Sequence, residues 1–175
     1  MHSNRNRELL RIRKLADFQF GRGTGESLFP ENVEITISRK TKKIRYIYQN
    51  GTLLATLRPT NGFFSLSLAG ARNLMKASGP NIPSLEIREE ASNFIRRGGD
   101  VFAKHVTSVN EEIRPGEEII VLSPLCEIVG VGRSMLSGCE MKSFRRGIAV
   151  KVRKGTIEKN KCKKKQCHIR GNKYA

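Results

Sequence analysis

Few residues in this sequence have the types and spacing for chemistry. Cys162, Cys167 and His168 form the one cluster with metal-like spacing in the 175 residues. Zinc is held by about four ligands, and this cluster offers three, two of them adjacent. Cys126 or Cys139 completes the set only if the C-terminus folds back. The cluster is a weak metal candidate, and no metal or other cofactor is expected. Cys126, in a strand region, and Cys139, in a helix, read as ordinary small apolar residues. His105 follows Lys104 in a strand-like run and has no evident partner. No Ser/His/Asp or Cys/His arrangement suits nucleophilic catalysis. Glu117 and Glu118 flank a turn and read as solvated. No catalytic residue is expected.

The chemistry that remains is that of positive charge. The chain has 33 Lys and Arg against 16 Asp and Glu, a formal net charge of +17. An excess of this size points to a polyanionic partner, nucleic acid first and an acidic membrane surface second. Hydrophobic residues, at 38%, suffice for a core, which excludes a disordered polybasic chain. The length suits one domain or two small ones and is too short for a catalytic barrel of about 250 residues. No stretch approaches the roughly 18 apolar residues that span a bilayer. The N-terminal residues lack the apolar run of a secretory signal. A cytoplasmic protein with reduced cysteines is expected, with no membrane partner.

The charge is unevenly spread. Residues 1–95 carry 15 Lys+Arg and 8 Asp+Glu, net +7. Residues 96–155 carry 11 and 7, net +4, and residues 156–175 carry 7 and 1, net +6. The last segment, with five lysines between Lys159 and Lys165, has no apolar periodicity and is expected to be unfolded when unbound. It reads as a nucleic-acid arm or as a solubilising tail.

The elements that must position these groups follow from periodicity. Leu9, Ile12 and Leu15/Ala16 predict a helix over 5–16, with Arg7, Arg11 and Lys14 lining another face. That stripe suits a phosphate backbone or is simply a solvated face. Gly21, Gly23 and Gly25 read as a structural loop, because their spacing is not a phosphate-binding fingerprint. From Val33 the alternation is that of strands. Asn50-Gly51 is a hairpin signal and Asn61-Gly62 a second turn. Arg39, Lys40, Lys42 and Lys43 sit at one hairpin tip, where they contact RNA or are solvated. A short helix over 69–77 ends the module. Residues 81–84 look like a linker, and 89–97 like a helix stopped by Gly98-Gly99. Strands are expected over 101–109, 118–122, 127–131 and 148–152, with a helix over 137–146 in which Ser137 and Glu140 form a capping box. Short strands with turn signals between them indicate a small barrel.

Four runs in this C-terminal half, 101–106, 113–119, 129–133 and 146–152, resemble the PUA domain (pseudouridine synthase and archaeosine transglycosylase). Upstream, 16–29 and 51–59 resemble the segment preceding PUA in archaeosine tRNA-guanine transglycosylase and archaeosine synthase. The resemblance spans roughly residues 7–155. It implies an α+β chain: a small α/β module with an antiparallel sheet, then a PUA-type β pseudo-barrel. The organisation expected is 1–80 for the module, 81–97 for linker and helix, 98–155 for PUA and 156–175 for the basic tail.

The resemblance also implies a surface for RNA. Carried over, it comprises Gly98, Gly99, Phe102, Ala103 and Lys104 with Ala149, Val150 and Lys151. Arg145, Arg146, Arg153 and Lys154 lie beside the last strand and add charge. The family's transglycosylase has a catalytic barrel for which this chain has no room. The expectation is therefore a non-catalytic protein that binds RNA, most of all tRNA, in an archaeal-type archaeosine pathway, together with a separate catalytic chain. The alternatives are a small subunit of a tRNA-modifying enzyme and a ribosome-biogenesis or translation factor that binds rRNA.

Overall fold

The computed structural model describes residues 2–77 and 82–157, with side chains from residue 5. Helix α1 (His2–Phe20) runs past both ends of the predicted span. It buries Ile12, Ala16 and Phe20 on one face. The glycine run then makes a turn, with Gly21 and Gly23 at positive φ, and not a phosphate cradle. Helix α2 (Thr24–Leu28) follows directly and is too short for periodicity to reveal. Asp17 accepts the Gly25 N–H at 2.8 Å, so that donor is already used.

The predicted meander forms as β1 (Val33–Ile37), β2 (Ile44–Gln49), β3 (Thr52–Leu57) and β4 (Phe64–Leu66), paired antiparallel in that order. The β2–β3 turn has Asn50 at φ 48° and Gly51 at φ 72°, the conformation that makes Asn-Gly a hairpin signal. One face of the sheet packs on α1, α2 and α3 (Leu68–Leu74). The other carries Thr36, Tyr46, Thr56 and Ser65, none of them buried.

The second sheet contains β5 (Ser84–Ile87), β6 (Val101–Phe102), β7 (Val106–Val109), β8 (Glu118–Leu122), β9 (Ile128–Ser134) and β10 (Ile148–Gly155). Its order is β6-β10-β9-β8-β5-β7, and only β5–β8 is parallel. The edge strands β6 and β7 are joined by the single 3-10 turn Ala103–His105. Two edges held that close force the sheet to curl into a near-barrel. Two expectations change here. The strand predicted over 101–109 is broken by that turn, which moves the chain from one edge to the other. The stretch read as linker and helix over 81–97 also holds β5, which lies inside the sheet; four residues are too few to show an alternation. Helix α4 (Glu89–Arg96) and helix α5 (Gly138–Ser143) complete the barrel. The Ser137–Glu140 capping box is present, and the helix ends three residues before Arg146.

Every residue of β8 is buried. Ile119 and Val121 enter the barrel core, while Ile120 and Leu122 join the core of the N-terminal module. The two modules therefore share one continuous apolar interface across β8 and β9. Glu118 lies at its edge and is buried, contrary to the solvated reading. Its carboxylate accepts the Leu66 N–H at 2.7 Å and is paired with the Arg153 guanidinium, which also donates to the Leu66 carbonyl at 2.6 Å. Pairing on all sides is what lets a carboxylate stay in a dry interface.

Candidate nucleic-acid interface

Gly98 and Gly99 close α4 by giving N–H groups to the carbonyls of Ile95 (2.8 Å) and Phe94 (3.0 Å). Gly98 has φ 81°, and a Cβ on Gly99 would collide with the Phe94 ring. Gly98 is thus required by the turn, while Gly99 leaves the space in which the Phe94 ring lies. A cleft of about 250 Å³ opens there, lined by Glu90, Phe94, Asp100, Phe102, Lys104 and His105. Phe94 and Phe102 are 57% and 40% exposed, high for aromatic rings. His105 has the partner that the sequence did not reveal, with Nδ1 3.2 Å from the Glu90 carboxylate.

The carried-over residues divide into two groups. Phe102 pairs with Ile148 across β6 and β10, and the Ala103 N–H donates to the Gly147 carbonyl at 3.0 Å. This brings Lys104 beside the turn that follows exposed Arg145 and Arg146. Farther along β10, Lys151 is exposed and paired with Arg133 of β9, a residue that sequence reasoning missed. On its other side Arg133 is opposite Glu118 of β8, and its Nε donates to the Gly116 carbonyl at 3.2 Å. Ala103, Ala149 and Val150 are buried as whole residues, and main-chain groups of Ala103 and Ala149 are hydrogen-bonded within the barrel, so they shape this edge without presenting a surface to RNA. Lys154 is exposed on the same strand.

Arg153 has a different setting from its neighbours. Its guanidinium is engaged with Glu118 and Leu66 at the module junction. Arg58 stands in the same place, with Nε buried and without a hydrogen-bond partner among the described residues. Burial, above all, pushes its guanidinium below the usual arginine range; Glu118 opposes this, and the charges of Arg133 and Arg153 add to it.

Cys162, Cys167, His168 and the lysine run lie outside the described residues. Cys126 and Cys139 are both exposed; Cys139 lies in α5 as read, while Cys126 lies in a turn at φ 58° and not in a strand. The hairpin cations Arg39, Lys40, Lys42 and Lys43 are not buried, nor are Arg7, Arg11 and Lys14. Among the described residues no helix is long and apolar enough to cross a membrane.

The fold and this edge define a PUA-type barrel carrying an α+β module, and comparison with known proteins agrees. Residues 10–81 match the patch-forming domain C2 of tRNA-guanine transglycosylase, and residues 83–156 match the PUA domain. The chain thus carries a PUA-domain match in its C-terminal half and is similar to part of archaeal tRNA-guanine(15) transglycosylases. It is 35% identical over 148 residues to that of Methanobrevibacter smithii, covering 85% of this chain and 22% of the relative. With that of Pyrococcus furiosus it shares 37% over 155 residues, covering 89% and 26%. The chain thus spans about a quarter of the length of these curated relatives. Among solved structures, a hypothetical protein of Pyrococcus horikoshii superposes with a TM-score of 0.67 at 21% identity, covering 85% of this chain and 90% of that one. A conserved PUA-domain protein of Thermoplasma acidophilum superposes with a TM-score of 0.62 at 19% identity, covering 86% and 89%.

Proposed function

We propose that this chain is an RNA-binding protein of archaeal-type tRNA modification, that its RNA is tRNA, and that it has no catalysis of its own. It holds tRNA for a separate catalytic chain of the archaeosine type, in the cytoplasm. The observation that carries this reading is the edge of the barrel. There, exposed Phe94 and Phe102 stand beside Lys104, next to the turn that follows Arg145 and Arg146. Rings can stack on the unpaired end of an RNA, and the cations meet its phosphates. The names of the curated relatives support tRNA as the class of RNA.

The test is competition binding of labelled tRNA against an unrelated hairpin RNA of similar length. Folded tRNA is expected to compete better, with log K falling by about 0.7–0.9 per log unit of salt for each phosphate neutralised. Equal competition by the hairpin, or a flat salt response, rejects the proposal.

A further inference from the structure

The exposed face of α1, in the N-terminal module, combines charge with an open aromatic ring. Arg7, Arg11, Lys14 and Phe18 fall at i, i+4, i+7 and i+11, one stripe of a helix. The buried Ile12, Ala16 and Phe20 occupy the opposite side. All four stripe residues are exposed. Neighbouring cations on the same helix are used structurally. Arg5 donates to the Val33 carbonyl at 3.2 Å, and Arg13 to the Phe29 carbonyl at 2.8 Å. Arg7, Arg11 and Lys14 have no hydrogen bond or ion pair with another described residue.

Phe18 is the unusual member. It is 78% exposed, yet its ring is not loose: it stacks on Phe63 of the β3–β4 turn, with centroids 6.4 Å apart and planes 11° apart. Gln19 fixes the approach, exchanging hydrogen bonds with the Phe64 main chain at 2.9 and 2.7 Å. A ring 78% exposed and held nearly parallel to a neighbouring ring is a platform on which a base can stack. At 1.5 Å per residue, the three cations lead to it along about 16 Å of helix.

From this geometry we infer that the exposed face of α1 binds single-stranded RNA, with its phosphates along Arg7, Arg11 and Lys14 and one unpaired base stacked on Phe18. A cationic track ending in an aromatic ring is the combination that holds unpaired nucleotides, because every base has a π-face and a closed duplex hides it. Three cations on the face favour a polyanion over a protein helix, which would need a continuous apolar stripe. The site rests on the RNA-binding reading above and adds to it a second contact, specific for unpaired nucleotides.

The test uses Phe18→Trp in the full chain, which otherwise has no tryptophan. A short oligoadenylate is expected to quench the tryptophan emission, while a blunt RNA duplex binds and leaves it unchanged. In the unmodified chain, Phe18→Ala is expected to weaken oligoadenylate binding about tenfold, and Phe18→Tyr to retain it. Phe18→Tyr keeps the ring beside Phe63, so its thermal midpoint should not move, and Arg11→Ala with Lys14→Ala gives an independent loss on the same RNA. If oligoadenylate binds the Phe18→Trp chain, by anisotropy of labelled RNA, without quenching its emission, the inference is overturned and the tRNA reading stands. A blue shift with phosphatidylserine vesicles but no response to RNA overturns it in favour of a membrane surface. Loss of tRNA selectivity with the oligoadenylate response intact removes only the earlier proposal.

Discussion

Two clusters of arginine and lysine in this molecule look alike in a charge count and differ in every physical respect. At the module junction, Arg153 and Arg58 surround the buried Glu118, and Arg133 stands at its rim. On the face of α1 and the edge of the barrel, Arg7, Arg11, Lys14, Lys104 and Lys151 point into solvent. At the junction the buried Glu118 is paired with Arg153, which also holds the Leu66 carbonyl, and this pairing fixes how the two modules meet. The surface charges have only water and counterions to give up, which is what makes binding to a polyanion favourable. The same residue types thus serve assembly in one place and, on the proposed function, recognition in the other, and burial decides which.

The sharpest way to break this comparison is Glu118→Ala. It leaves Arg153 and the Leu66 N–H without their acceptor, and a loss of about 3 kcal/mol in urea unfolding is expected. A loss below about 1 kcal/mol would mean that the junction does not depend on the carboxylate. The reverse experiment is Lys104→Ala with Lys151→Ala. RNA affinity should fall about tenfold and the salt slope by about 1.5, with stability unchanged within about 0.5 kcal/mol. If affinity holds, the carried-over face is wrong.

A smaller effect is expected at the start of α5, where Ser137 accepts the Glu140 N–H and Glu140 accepts from Ser137. Ser137→Ala should cost about 1 kcal/mol and leave RNA binding unchanged. The smallest effect is one of pH. Hydrogen bonds from the Ser137 main chain, and then from its hydroxyl, hold the Glu140 carboxyl below its ordinary value. A depressed carboxylate contributes stability above its unfolded pKa and loses it as the pH falls through the lower folded value. The stability gap between Glu140→Gln and the native chain should therefore close under acid, as followed by circular dichroism. A gap constant down to acid pH would exclude the cap as its source.

Much of the architecture was legible in the residues. The alternation of Val33, Ile35 and Ile37, the Asn50-Gly51 turn and the Ser137–Glu140 box each depend on neighbours in sequence, and each formed as read. The misses share one cause. Strand β5 is four residues long and pairs with β8, whose first residue lies more than thirty positions away, so local pattern could not show it. Glu118 follows another glutamate beside a turn, and nothing nearby reveals that Leu66 and Arg153 come to meet it. Phe94 and Arg133 were passed over because a ring on a helix reads as core and an arginine on a strand as surface. The exposure of Phe94 and the pairing of Arg133 with Lys151 are tertiary facts. The one signal available was the period of Arg7, Arg11 and Lys14, which continues to Phe18.

By itself the sequence determined the excess of positive charge, the longer helices and strands, and the positions of the hairpin turns. These depend on composition and on spacings of a few residues. Only the tertiary structure decided which cations are consumed in holding the modules together and which remain for a partner. That choice turns on burial, since a charge costs little in water and must be paired in a dry interface, and burial is set by residues far apart in the chain.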